Sequence, residues 1–308
     1  MRVIPLLRPV RCLLAALLLV ACHGPDGVAQ PGGSSPVAAV QTSVDLIRTG
    51  DFNALWKHLL PPADYADLRA DWNLHQRNLA PVTAAERERF DQLMQQLTAP
   101  DAAERLYAQW QPKLAAMERQ YGDQLPILMS VGEALAKRAV SRNGYLPAAR
   151  KDELNQALDA LLPWAQHAPW FDQAKARQAL QLATTTARQL QLRSLDEARA
   201  LDFDATMSKY AIGYRGLGQV LAIYGLSLDA ALESATLSEL SRDGDHAVVR
   251  IGYHLQGTAL STDIRLVREH DRWYSEDLLQ NVRRSHRQLV EPAVARAPAT
   301  AGSVAGAD

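Results

Sequence analysis

A group of charged and polar side chains near the C-terminal end of the chain could bind an anion. The group is Arg250, His254, Asp263, Arg265 and Tyr274. They fall on one side of segments that alternate between apolar and polar residues, as strands do. If Gly257-Thr258 is a two-residue turn, Arg250 lies opposite Arg265, and two adjacent guanidinium groups would receive a negatively charged ligand. Catalysis would require His254 and Asp263 to meet as an acid–base pair.

The same side chains are also compatible with a hydrated surface. If His270-Asp271 is a two-residue turn, Glu276 falls opposite Arg265 and neutralises the arginines. Exposed ion pairs of this kind contribute only about 0–1 kcal/mol. The residues therefore predict either a pocket or a solvated sheet face, and no catalytic residue is assigned.

Other chemical signatures are absent from the sequence. The chain has no HExxH, GxSxG, Walker or EF-hand pattern. No two of the eight histidines are spaced i,i+4 on a predicted helix, as a zinc-binding pair would be, so we expect neither a metal nor a cofactor. We expect His58, His75 and His167 to be surface or helix-end residues.

The N-terminus has the form of a secretory signal peptide over residues 1–21. Three arginines and no acidic residue precede apolar residues 12–20, and the small residue Ala21 follows them. The apolar run is shorter than the ~20 residues of a membrane-spanning helix. Removal of this segment leaves Cys22 as the only cysteine, which excludes an internal disulfide and a zinc site built from several cysteines.

The tetrapeptide Leu19-Val20-Ala21-Cys22 resembles the bacterial lipobox. The resemblance implies that the Cys22 sulfur is lipidated and that the new N-terminus is acylated after cleavage. Each buried CH₂ group adds ~0.8 kcal/mol, so several acyl chains hold a protein firmly at a membrane. His23 replaces the aspartate typical of inner-membrane retention, which implies the periplasmic leaflet of the outer membrane. The alternative is ordinary cleavage near Ala21, which leaves Cys22 as a free thiol.

Composition indicates a mainly helical globular protein. The 308 residues are 47% hydrophobic and 22% charged, with a formal net charge of -1. Clustered Lys and Arg residues are lacking, which argues against a nucleic-acid partner. Ala and Leu, which favour helices, recur throughout.

The sequence predicts an α+β fold, mainly α, in which a helical body is followed by a four-stranded antiparallel sheet. Residues 22–36 are the lipidated cysteine and a flexible Gly/Pro/Ser-rich tether, and residues 37–232 are helical, with one long helix at about 195–232. Residues 233–290 form a β meander packed on the helices. Residues 291–308 lack apolar periodicity, which predicts a disordered tail.

Two stretches resemble NTF2-like lipoprotein domains. One is the strand meander that ends in Asp271-Arg-Trp-Tyr274, and the other is Thr49-Gly-Asp51 between the first two helices. The resemblance implies a curved sheet around helices, but the long helical middle departs from that pattern. The chain as a whole resembles uncharacterised bacterial outer-membrane lipoproteins through blocks such as LLPPADYADLRADW and YGLSLDAAL.

These observations favour a lipid-anchored envelope protein that faces the periplasm. Because catalytic motifs are absent, we expect a non-enzymatic binding or assembly-supporting module. We expect acyl chains on Cys22 to hold it at the membrane and an envelope protein to be its partner. Trp164 and Trp170, which flank Pro169, are a candidate partner surface. The alternative is an NTF2-like pocket that binds or hydrolyses a small anionic ligand.

Overall fold

The computed structural model describes residues 30–144 and 146–290, and it confirms the mainly helical α+β fold with one four-stranded antiparallel sheet. The predicted signal peptide, Cys22 and the predicted tail lie outside the described residues. The helices are α1 (Pro36–Thr49), α2 (Phe52–Leu59), α3 (Pro62–Arg77), α4 (Ala84–Thr98), α5 (Ala102–Tyr121), α6 (Leu125–Arg142), α7 (Ala148–His167), α8 (Gln173–Leu190), α9 (Leu195–Ala200), α10 (Phe203–Ile223), α11 (Leu228–Glu233) and α12 (Glu276–Val290). The strands are β1 (Thr236–Asp243), β2 (His246–Leu255), β3 (Thr258–Glu269) and β4 (Arg272–Ser275).

Local capping residues set the ends of the first two helices. Ser35 accepts a hydrogen bond from a backbone N–H in the first turn of α1, and Gly50 takes a left-handed conformation (φ 68°) after its end. Asp51 caps α2 by accepting a hydrogen bond from the Ala54 N–H at 2.9 Å. The chain therefore reverses within two residues, and α1 and α2 pack together.

The sheet is a meander in chain order, β1-β2-β3-β4. Along β2, Ala247, Val249 and Ile251 alternate with more exposed residues and are buried together with Leu266 of β3. Side chains from α1, α2 and α10 fill the core on this side of the sheet. The opposite face of the sheet carries the predicted polar group.

Residues 195–232 form three helices instead of the single predicted helix. Asp202 and Ser227 each accept a hydrogen bond from a backbone N–H three residues later and so begin α10 and α11. Gly225 has a positive φ of 91° between these helices. Side chains that cap the backbone locally compete with helix continuation, which is why the periodic pattern is interrupted here.

The predicted meander is too long, because the sheet ends at Ser275 and residues 276–290 form α12. Glu276 and Asp277 occupy the first turn of this helix, where the helix dipole favours negative charge. Leu279 and Val282 are buried at i,i+3 spacing, which is a helical period. The last element is therefore a helix that packs on α3, β3 and β4.

Residues 30–35, which the sequence assigns to a flexible tether, instead lie against the sheet. The N–H and carbonyl of Gly33 pair with the backbone of Trp273 at 3.0 and 2.9 Å. Arg272 donates a hydrogen bond to the Pro31 carbonyl at 2.9 Å. A Cβ atom at Gly33 would lie 2.2 Å from the Ala39 nitrogen, so glycine permits a close backbone approach here rather than flexibility.

Helices α4 to α8, residues 84–190, form a region that we call the helical arm. A capping box formed by Thr83 and Glu86 starts α4. Helices α4 and α6 contain no buried residue. Helix α6 packs on α7, α5 packs on α8, and α8 joins the arm to α10. We call the remainder of the helices, together with the sheet, the body.

Candidate functional site

Arg250 and Asp263 pair directly on the polar face of the sheet. Nε and Nη2 of Arg250 donate to the two carboxylate oxygens of Asp263 at 2.7 and 2.8 Å. These hydrogen bonds lower the pKa of Asp263 below its ordinary value. The predicted opposition of Arg250 and Arg265 is wrong, because the register partner of Arg265 is Val248.

The register differs from the prediction by two residues because Gln256-Gly257 forms the turn between β2 and β3. Both residues have positive φ angles, 50° and 80°, as a type I′ hairpin turn requires. Leu255 therefore pairs with Thr258. A shift of two residues leaves each side chain on the same face of the sheet. The sequence therefore predicted the correct face of the sheet for these charged residues but the wrong cross-strand partners.

Arg265 contacts α12 instead of β4. Its Nη2 atom donates to Oδ1 of Asp277 at 2.6 Å, and this hydrogen bond raises the pKa of Arg265. Glu276, which was predicted to lie opposite Arg265, begins α12 and approaches Nδ1 of His246 to 4.0 Å. Arg250 and Arg265 therefore each pair with a carboxylate of the chain. Neither pairs with Glu276, the predicted partner.

His254 and Tyr274 lie at opposite ends of the sheet. The register partner of His254 is Ala259, four residues from Asp263, which corresponds to about 13 Å along a strand. Both Asp263 oxygens already accept hydrogen bonds from Arg250. The predicted acid–base pair is therefore not formed. Tyr274 is buried against α12, and burial raises its pKa.

A cavity of about 460 Å³ lies between the sheet, α1, α2 and α12. Asp263, Arg265 and Tyr274 line it, whereas Arg250 and His254 do not. The large apolar residues of its wall are Val40, Ile47, Leu55, Leu59, Leu146, Ile264, Leu266, Trp273 and Leu278. Its charged residues are Arg150, Asp263, Arg265, Asp277 and Arg284. The structure therefore brings three of the five predicted residues to one cavity, and ligand binding by them stays a prediction.

His58 lines this cavity near the C-terminal end of α2; the sequence predicts a surface or helix-end position, and the helix-end position is the one observed. Only 8% of the residue is exposed. Its Nε2 atom lies 2.9 Å from the Ala39 carbonyl, which also accepts from the Ser43 hydroxyl at 2.8 Å. Because a carbonyl can only accept, Nε2 carries the proton, and burial lowers the pKa of His58 so that the ring is neutral. The helical period places His58 on the same side of α2 as Leu55, three residues earlier, and this spacing could have predicted its burial.

Ion pairs that the sequence does not reveal hold α12 over the cavity. Arg283 forms bidentate pairs with Asp64 of α3 and Glu269 of β3, with four N–O distances between 2.7 and 2.9 Å. These hydrogen bonds raise the pKa of Arg283. One turn later, Nδ1 of His286 lies 2.9 Å from Asp71, and this contact raises the pKa of His286. Sequence reasoning missed these contacts because 219 positions separate Arg283 from Asp64.

The predicted partner surface at Trp164 and Trp170 already has partners within the chain. The two rings meet edge to face with centroids 5.1 Å apart, and Trp170 stacks on Tyr224 at the same distance. The Trp164 indole N–H donates to the Tyr224 carbonyl at 2.8 Å, and the Trp170 N–H donates to Ala165 at 2.7 Å. These contacts fix the end of α7 against the end of α10.

Two further properties concern only residues 30–144 and 146–290. Within these ranges, no group of three or more His, Cys, Asp or Glu side chains is placed to hold a metal ion. No helix of this part of the chain combines the length and apolar character needed to cross a bilayer.

Comparison of the chain with family models, curated proteins and solved structures gives no match. The resemblance to NTF2-like and outer-membrane lipoproteins therefore stays a prediction from the sequence blocks that carry it.

Proposed function

We propose that this chain is a lipid-anchored protein of the outer membrane that faces the periplasm and binds a partner protein through α6 of the helical arm. The proposed role is binding or support of assembly, without catalysis. The anchor rests on the signal segment and the lipobox-like sequence at Cys22. The docking role rests on an apolar stripe of α6 that the rest of the described chain leaves uncovered.

The stripe, which we call the α6 stripe, is a row of four large apolar side chains. Ile127, Leu128, Val131 and Leu135 are 67%, 45%, 53% and 61% exposed. Ile127, Val131 and Leu135 lie at i, i+4 and i+8, and Leu128 lies three residues before Val131. All four therefore lie along one side of the helix, over about 12 Å. Large exposed apolar residues usually occur singly, and a contiguous group marks an interaction site.

The other side of α6 is already occupied by α7. Gln166 donates to the Ser130 hydroxyl at 3.0 Å, and Lys151 donates to the Ser141 carbonyl at 2.9 Å. These contacts hold α6 in the chain without using the α6 stripe. The stripe is therefore available to a second molecule.

The width and charge of this surface favour one kind of occupant. A row one helix wide suits an amphipathic helix that contributes an apolar side chain at every turn. Arg138 and Arg142, at the C-terminal end of α6, are exposed and form no ion pair within the described residues. A partner helix with acidic residues at the corresponding end would complement them.

Cross-linking in cells tests the docking role. A photoreactive residue at Val131 should form an adduct of one defined mass with an envelope protein. The double substitution Ile127→Glu and Leu135→Glu should abolish the adduct, because charge cannot be buried unpaired at an apolar contact. Leu217→Glu is the matched control, since Leu217 is 54% exposed on α10 outside the arm, and it should leave the adduct unchanged.

Three outcomes would contradict the docking role. An adduct of twice the chain mass would make the α6 stripe a contact between two copies. Flotation of the Cys22→Ala chain with lipid vesicles, lost on Leu135→Glu, would make it a membrane contact. Absence of any adduct in intact envelopes would remove the docking role altogether.

The anchor is tested separately by the intact mass of the membrane-extracted protein. We expect a chain that begins at residue 22 and carries acyl groups, and we expect Cys22→Ala to lose them. An unmodified mass for the natural chain would show that Cys22 is only a thiol and would leave the protein free in the periplasm.

A further inference from the structure

The cavity beneath α12 has an excess of positive charge at its rim. Arg150 pairs with Glu153, and Arg265 pairs with Asp277. Asp263 is neutralised from outside the cavity by Arg250. Arg284 also lines the cavity, is exposed, and has no ion-pair partner among the described residues.

Arg265 adds hydrogen-bonding capacity to the same cavity. It uses one Nη2 contact for Asp277, and a guanidinium group carries five N–H donors. The donors of Arg265 and Arg284 therefore suit one carboxylate or another singly charged oxyanion.

Aliphatic and aromatic side chains form a large part of the cavity wall. The Ser43 hydroxyl and the His58 ring both donate to the Ala39 carbonyl, so these polar groups are satisfied within the chain. The remaining wall consists mainly of aliphatic side chains such as Leu59 and Ile264. Such side chains stabilise hydrocarbon.

We propose that this cavity binds a single-chain amphipathic monoanion, namely a carboxylate with an aliphatic tail. The carboxylate lies between Arg284 and Arg265 at the rim, and the tail lies along Leu59 and Ile264. The volume of about 460 Å³ falls within the range of roughly 300–1,000 Å³ that is usual for small-molecule sites. This site is separate from the α6 stripe, so either proposal can fail without the other.

Calorimetric titration with decanoate tests the proposal. The protein is the full mature chain, residues 22–308, made with Cys22→Ser so that no acyl chain competes for the cavity. We expect decanoate to bind at one site, with about fourfold weaker binding for each methylene removed from the tail. Inorganic phosphate and the uncharged decanol should each bind at least tenfold more weakly.

Three variants locate the site. Arg284→Gln should weaken decanoate binding about tenfold, because it removes the charge-assisted contact. Arg287→Gln is the matched control on the same helix, since Arg287 does not line the cavity, and it should bind as the parent chain does. Asn281→Trp should abolish binding by filling the exposed rim, while circular dichroism and the thermal midpoint report intact folding.

The proposal is overturned if decanoate does not bind at millimolar concentration, or if it binds equally well to all three variants. Equal affinity for decanol would remove the arginines from recognition. Equal affinity for inorganic phosphate would show that the aliphatic tail does not contribute to binding and that the cavity is a simple anion site.

Discussion

The body and the helical arm are made of similar residues and bury very different amounts of them. In the body, the fully buried side chains are large and aliphatic and include Ile47, Leu55, Ile251 and Leu266. The buried residues of the arm, within the described part of residues 84–190, are Ala102, Tyr107, Ala160, Ala168, Thr184 and Ala187. Only one of these, Tyr107, is large. The arm therefore depends on helix formation and on contacts between helix edges, whereas the body depends on a packed core.

This difference indicates where the chain can open and bind. Regions with few buried apolar contacts unfold locally at low free-energy cost, and binding elements are drawn from such regions. Isolated helices are marginal in water, so α6 depends on its contact with α7. A partner that covers the α6 stripe would stabilise the arm in addition to binding it.

The largest expected effect is the difference in free energy of unfolding between the same substitution, Ile to Ala, made in the body and in the arm. Ile251→Ala removes a side chain that is 0% exposed, and we expect it to lower the free energy of unfolding by about 3 kcal/mol through lost burial and the cavity it leaves. Ile127→Ala, at a residue that is 67% exposed, should change it by less than about 0.5 kcal/mol. Urea denaturation followed by circular dichroism measures both. Similar losses would mean that Ile127 is covered in solution.

A smaller effect is expected from two neighbouring arginines of α12. Arg283→Ala leaves the Asp64 carboxylate buried without its partner, and we expect a loss of about 2 kcal/mol. This is less than the ~3–5 kcal/mol of a fully buried pair, because 38% of the Arg283 side chain is exposed. Arg284→Ala removes no ion pair of the described chain and should change stability by less than about 0.5 kcal/mol. Equal urea midpoints for the two variants would contradict this assignment.

Much of the body was predictable because its signals are local. The His270-Asp271 turn and the period of two in β2 depend on residues within a few positions of one another. Some predictions failed at local features, such as the Gln256-Gly257 turn, and others failed where a distant contact decided the outcome. Gly33 was assigned to a flexible tether because its composition is that of a linker, and its backbone pairing with Trp273 is not encoded locally.

The candidate sites show the same limit. Periodicity identified α6 as a helix, yet it could not distinguish the side that α7 covers from the α6 stripe. The cavity could not be predicted because α12 forms one of its walls, and the sequence assigned those residues to the β meander. The ion pairs of Arg283 that hold α12 in place join residues far apart in the chain. Alternation placed Arg250 and Asp263 on one face, and only the turn geometry made them partners.

The smallest expected effect lies within the body, where two histidines oppose each other in their dependence on pH. Asp71 raises the pKa of His286 above 6.5, so its contribution to stability is present below pH 6.5 and is lost as the pH rises through the folded-state pKa. Burial lowers the pKa of His58 below 6.5, so its contribution is present above pH 6.5 and is lost as the pH falls. The two changes partly cancel in the natural chain.

Single variants should separate the two contributions. We expect the stability lost by His286→Gln to be larger at pH 5.5 than at pH 8, and the stability lost by His58→Gln to be larger at pH 8, in urea denaturation of the full mature chain. Asp71→Asn should reproduce the pH dependence of His286→Gln, because it removes the carboxylate that raises the pKa of His286. Parallel curves for the natural chain and both histidine variants would show that neither ring changes its protonation on folding. In that case neither the contact of α2 with α1 through His58 nor the contact of α12 with α3 through His286 would account for the pH dependence of the body.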